Sequence, residues 1–107
     1  MLTLQDIQAA AQRIAPYIHR TPVFTSQGLD QRLGKKLFFK AEHLQKTGSF
    51  KARGALNAAL QLHNPRGLIA VSSGNHAQGV AYAAQVIGVP ALVVMPQEAS
   101  TNKKSAT

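Results

Sequence analysis

Apolar residues recur at helical spacing along the first stretch of the chain, with Leu4, Ile7, Ala11 and Ile14 on one face and polar residues between them. Thr3 followed by Asp6 resembles a capping box, and the run stops before Pro16, so a first helix is predicted there. Thr21-Pro22 is an extended break, and Ser26 is placed to cap a short helix that Gly34 terminates. Lys35 to Ala41, centred on Leu37, Phe38 and Phe39, reads as a strand. From Phe50 to about His63 the pattern is helical again, with Ala55, Leu56, Ala59, Leu60 and Leu62 inward and Arg53 and Asn57 more polar. Asn64-Pro65-Arg66-Gly67 punctuates the chain. A buried strand over 68–72, an Ala-rich helix from about His76 to Ile87 stopped by Gly88 and Pro90, and a strand over 91–95 then form a parallel βαβ unit. Ser100 or Thr101 opens a last helix that carries no C-terminal signal. The fold class is α/β.

Composition narrows the choice of function. At 107 residues and 45% apolar content the chain can bury a core. Twelve basic against four acidic residues give a formal charge of +8, which by itself suggests an anionic partner. Lys35-Lys36 and Lys103-Lys104 are only pairs, and there are six aromatic residues and no Trp, so a base-stacking platform is not expected. Without cysteine there are no disulfides or thiolate metal sites. His19, His43, His63 and His76 follow no metal-ligand spacing, so no metal is expected. The N-terminus lacks a secretory pattern, and Gln85, Pro90 and Pro96 interrupt the apolar reaches, so no membrane span is expected and the cytoplasm is the expected location.

Two runs carry candidate chemistry. In Gln45-Lys46-Thr47-Gly48-Ser49-Phe50-Lys51-Ala52-Arg53-Gly54, Ser49 is placed as an N-cap and Lys51 falls in the first turn of a helix. The positive end of the dipole, with Lys46 and Arg53 near in sequence, is expected to depress the Lys51 pKa. A neutral amine is what attack on a carbonyl requires; a surface lysine near a helix start is the plain alternative. In Ser72-Ser73-Gly74-Asn75-His76 a strand gives way to a helix through small residues, where N–H groups and the dipole converge on an anion. An N-capped connection with no ligand is the plain alternative there.

Together with His19-Arg20-Thr21-Pro22 and Val93-Val94-Met95-Pro96, these runs resemble the fold-type II pyridoxal-phosphate enzymes, in their serine/threonine dehydratase and serine racemase branch, from about Ile14 to the last residue. Ala52 after the lysine, where threonine synthases usually carry an acid, is similar to the dehydratase branch. The resemblance implies the amino-terminal portion of a two-domain enzyme with an incomplete sheet. Residues 1–66 would belong to the larger, cofactor domain and residues 67–107 would open the smaller one, with a connection several residues shorter than the family's usual. The chain is then expected to be a fragment, inactive or poorly folded alone, and its parent a homo-oligomer. Pyridoxal 5'-phosphate is the implied cofactor and a small hydroxy-amino acid the implied substrate, with no nucleic acid and no membrane as partner. By the same resemblance Lys51 forms the Schiff base and moves the α-proton, Phe50 packs near the cofactor ring, and Asn75 bonds the pyridine 3-oxygen. Ser72, Ser73, Gly74, Asn75 and His76 match the loop that binds the substrate carboxylate, and Ser73 also matches the proton-exchanging residue of racemases.

The function implied is dehydration and deamination of L-serine or L-threonine to a 2-oxo acid and ammonia. Serine racemisation is the alternative within the family. A non-catalytic remnant, or a basic nucleic-acid-binding module, is the alternative from another class.

Overall fold

The computed structural model describes residues 1–105 and 107. Helix α1 spans Leu4–Ile14 and opens on the expected capping box: Thr3 Oγ1 accepts from the Asp6 N–H while the Asp6 carboxylate accepts from the Thr3 N–H. A 3-10 turn at Ala15–Tyr17 follows, with Pro16 inside it, where its missing N–H costs nothing. Strand β1 (Val23–Phe24) leads into α2 (Gln27–Leu33), capped by Ser26 and closed by Gly34 at φ 63°.

The strand expected over 35–41 shrinks to β2, Phe39–Lys40, antiparallel to β1. The reason is local. The backbone carbonyl of Asp30 accepts from the Lys35 N–H and its carboxylate accepts from the Leu37 N–H, so this stretch is tied to the end of α2 and its amides do not enter a ladder. Two 3-10 turns, Glu42–Leu44 and Lys46–Gly48, then carry the chain to α3 (Lys51–Ala59). Helix α3 ends four residues before His63. Tighter bonds, from Gln61 N–H to the Ala58 carbonyl and from Leu62 N–H to the Ala59 carbonyl, replace the α pattern, and Asn64 turns the chain at φ 46°.

Strand β3 (Leu68–Val71), helix α4 (Asn75–Ile87) and strand β4 (Ala91–Val94) make the parallel βαβ unit, registered Leu68 to Ala91 through Val71 to Val94. Gly88 closes α4 at φ 74°. A short α5, Thr101–Ser105, follows. Each sheet has two strands.

Helices α3 and α4 form the most extensive packing of the molecule. The core joins Ile14 of α1, Leu56 and Ala59 of α3 and Ala83 of α4, with Ile18, Leu68 and Val86 partly buried around them. Ala52 and Ala77 are also sealed, so the two helices meet through small side chains and approach closely. Leu62, expected inward, stands beyond the end of α3 and is 51% exposed. The expected 66/67 division falls in the loop between α3 and β3, while the core runs across it. One face of the β3–β4 pair, carrying Ile69, Val71, Leu92 and Val94, is exposed.

Candidate active site around Lys51

The loop before α3 is built from polar groups that satisfy one another. Gln45 is buried, and its side-chain amide works as a short piece of β-ladder: Oε1 accepts from the His19 N–H at 2.9 Å and Nε2 donates to the His19 carbonyl at 2.8 Å. The same Oε1 accepts from the Lys46 N–H at 2.9 Å. Three residues earlier, the Glu42 carboxylate takes two bonds of 2.8 Å from the Arg53 guanidinium and one of 2.5 Å from the Thr21 hydroxyl. The bidentate Arg53 pair, with Thr21 and the nearby Lys40 charge adding to it, holds the Glu42 pKa at about 2 against partial burial that acts the other way. Arg53 is raised in turn by Glu42.

These bonds fix a turn that the backbone alone would avoid. Thr47 is β-branched yet sits at φ 62°, and Gly48 follows at φ 66°. A left-handed non-glycine residue costs on the order of 1–2 kcal/mol. The Thr47 hydroxyl is buried and has no hydrogen-bond partner among the described residues. Ser49 is extended and buried, and its Oγ accepts from the Lys51 N–H at 3.4 Å, while Phe50 already has helical dihedrals. The regular helix opens on Lys51, so the cap position falls on Phe50, which makes no side-chain cap bond, one residue later than the Ser49 cap expected from the sequence.

Lys51 projects from that first turn toward a cleft of about 460 Å³ between α3, β3 and α4, which Phe50, Lys51 and His76 line together with Gly54, Leu68 and Val80. Its ammonium lies 5.0 Å from the centroid of the Phe50 ring and makes no ion pair or side-chain hydrogen bond with any described residue. The adjacent Phe50 and Lys51 thus share one cavity with His76, which is distant in sequence. Ser72, Ser73 and Gly74 form the loop leading into α4, whose first residue is Asn75, and none of the four is part of the cleft wall. In that loop the Ser72 hydroxyl accepts from the Gly74 N–H at 3.3 Å, and the side chains of Ser73, Asn75 and His76 make no hydrogen bond to a described residue. Among the described residues, no group of three or more His, Cys, Asp or Glu side chains could hold a metal ion. None of their helices is long and apolar enough to cross a membrane.

Comparison with known proteins decides the family. The family model for pyridoxal-phosphate dependent enzymes matches residues 14–107. The chain belongs to that family. It is 46% identical over 108 residues to the L-threo-3-hydroxyaspartate ammonia-lyase of Saccharomyces cerevisiae, covering 98% of this chain and 33% of that protein. Among solved structures, a threonine deaminase from T.th. superposes with a TM-score of 0.89 at 70% identity, over 98% of this chain and 33% of the other. The maize serine racemase superposes with a TM-score of 0.91 at 47% identity, over 96% and 32% of the two chains. The chain spans about a third of the length of the curated relatives it matches. Its α/β arrangement with small, incomplete sheets agrees with the expected amino-terminal part of a two-domain fold-type II enzyme.

The functions of Gln45, Glu42 and Arg53 escaped the sequence. Nothing in the pattern shows that a glutamine will pair with the backbone of residue 19, or that two residues of opposite charge eleven positions apart will close a loop. For Gln45 and Arg53 the only signal was membership of the same motif as Lys51, and Glu42 lies just before that motif.

Proposed function

We propose that the whole protein dehydrates and deaminates L-threonine or L-serine, using pyridoxal phosphate held at Lys51, and releases a 2-oxo acid and ammonia. The observation that carries the reading is the Lys51 amine, placed by a hydrogen-bonded loop in a cleft and unpaired among the described residues. The donor set fits one end of the cofactor: an amine for its carbonyl carbon, the Phe50 side chain for a ring face, and the Asn75 amide at the start of α4.

When bound, pyridoxal phosphate supplies the electron sink that makes the substrate α-carbon acidic. The chain's own residues do the rest. Lys51 would hold the cofactor through its Nζ and, with the substrate bound, would accept the α-proton at that atom. The N–H groups of residues 73–76, at the positive end of a thirteen-residue helix, bind the substrate carboxylate with the Ser73 hydroxyl and the Asn75 amide. Loss of the β-hydroxyl as water commits the substrate to deamination. The 70% identity to a threonine deaminase, against 46–47% to the other two proteins compared, supports threonine over the other hydroxy-amino acids. The proposal extends to the division between residues 1–66 and 67–107 and to a cytoplasmic homo-oligomer. The exposed turn at Arg66 is where limited trypsin cleavage would enter first.

Borohydride treatment of the protein loaded with pyridoxal phosphate, followed by peptide mapping, should place the pyridoxyl label on Lys51. Threonine should then yield a 2-oxo acid, and Lys51→Ala should yield none. A label elsewhere, or no label, would sink the reading. Serine racemisation is the second reading, favoured by the uncommitted hydroxyl of Ser73. Formation of D-serine faster than a 2-oxo acid, with the racemase activity lost in Ser73→Ala, would put it first.

A further inference from the structure

Gly79 stands in the interior of α4, where glycine costs about 1 kcal/mol relative to alanine. It has no left-handed φ to justify that cost, so its reason is space. A Cβ at this position would lie 3.0 Å from the carbonyl oxygen of Lys51, 3.1 Å from its carbonyl carbon and 3.3 Å from its Cβ. Every one of those atoms belongs to Lys51, and two are backbone, which cannot rotate away. Added bulk at residue 79 therefore moves either α4 or Lys51 by a few tenths of an ångström.

The position of Gly79 on its helix gives that contact a meaning. Asn75, Gly79 and Ala83 are spaced four apart and share one face of α4. Ala83 closes the core against Leu56 and Ala59 of α3, so this is the face laid on the lysine helix. Asn75 is the first residue of α4 and sits one turn from the contact. The spacing between the start of α4 and Lys51 is thus set where the Gly79 backbone meets the Lys51 backbone without a side chain between them.

We infer that Gly79 is a positioning residue for Lys51: its missing side chain lets α4 close on the Lys51 backbone and fixes the direction of the amine relative to Asn75 and His76. The inference rests on the reading of Lys51 as the cofactor lysine. It accounts for a glycine inside α4 that binds nothing itself.

The test separates aiming from binding. The whole protein is mixed with pyridoxal phosphate and the rate of covalent attachment to Lys51 is followed by borohydride trapping. In parallel, affinity is measured for 4-deoxypyridoxine phosphate, which lacks the carbonyl and binds without bonding to lysine. Gly79→Ala should slow attachment about tenfold, since a misplacement of about 1 Å can cost a hundredfold, while the affinity of the analogue changes less than about twofold. The exchange Gly79→Ala/Ala83→Gly keeps the composition and helix propensity of α4 and moves one methyl group by one turn. It should show the same slowing. Unchanged attachment in both variants would overturn the inference alone, and so would a parallel loss of analogue affinity, which marks a merely structural residue. Failure of both variants to fold would also overturn it. Absence of any label on Lys51 in the wild type would overturn the proposed function and the inference with it.

Discussion

The two motif loops of this protein are folded by opposite means. Between residues 42 and 53 Glu42 and Arg53 are tied to each other, Glu42 also to Thr21, Gln45 to the His19 and Lys46 backbone, and Ser49 to the Lys51 N–H. Between residues 72 and 76 a single side chain, that of Ser72, makes a hydrogen bond to a described residue, and it is one within the loop. The first loop must hold a strained turn and aim one amine, so its polar groups serve the fold. The second keeps hydroxyl, amide and imidazole groups uncommitted at a helix start, where a ligand can take them. A stabilised support beside an unsatisfied recognition loop is the division of labour expected of a preorganised site.

That contrast can be broken from beneath. Leu56 is fully buried in the core that joins α1, α3 and α4, and Leu56→Ala should cost about 3 kcal/mol, read as a lowered urea midpoint with an unchanged slope. A next-largest effect is expected at Gln45. Gln45→Ala leaves the His19 N–H and carbonyl and the Lys46 N–H without their partner, and should cost about 2 kcal/mol. If Gln45→Ala proved neutral, the first loop would not be held as described.

Glu42 sharpens the comparison through pH. Its pKa in the folded chain is about 2 against an ordinary 4.5. A lowered carboxyl pKa stabilises the fold fully above the ordinary value and loses that contribution as pH falls through the folded value. Stability should therefore decline between about pH 4.5 and pH 2, and the Glu42→Gln variant should show a flatter profile there. At neutral pH the same variant should lose about 1–2 kcal/mol, since the pair is only partly screened by solvent. An identical acid profile in the variant would remove Glu42 from the account.

The smallest effects on stability should come from the second loop. Ser73→Ala and Asn75→Ala are each expected to change the unfolding free energy by less than about 0.5 kcal/mol, since neither side chain has a hydrogen-bond partner among the described residues to lose. Both should weaken binding of a substrate carboxylate in the whole protein. A large stability loss at either position would make the second loop structural too.

The outline of the fold was readable because it depends on local rules. The Thr3–Asp6 box, the Ser26 cap, the Gly34 and Gly88 closures and the βαβ pattern all act within a few residues of chain. The two motifs were legible for the same reason, being contiguous runs. Where the reading failed, a competing bond intervened. Asp30 took the Leu37 amide from the expected strand, and 3-10 bonds after Ala59 ended α3 early and left Leu62 exposed.

What the sequence by itself determined, then, was the order of elements, the lysine at the head of α3 and the strand-to-helix loop that opens α4. Tertiary structure alone decided that His76 shares a cleft with Lys51, that Gln45 completes a ladder with His19, and that Gly79 rests on the Lys51 backbone. Periodicity fixes which face of a helix is apolar, but not which residue of a partner helix lies opposite each position. That register is set only when two surfaces of small side chains close on each other, because close packing admits few ways for them to fit.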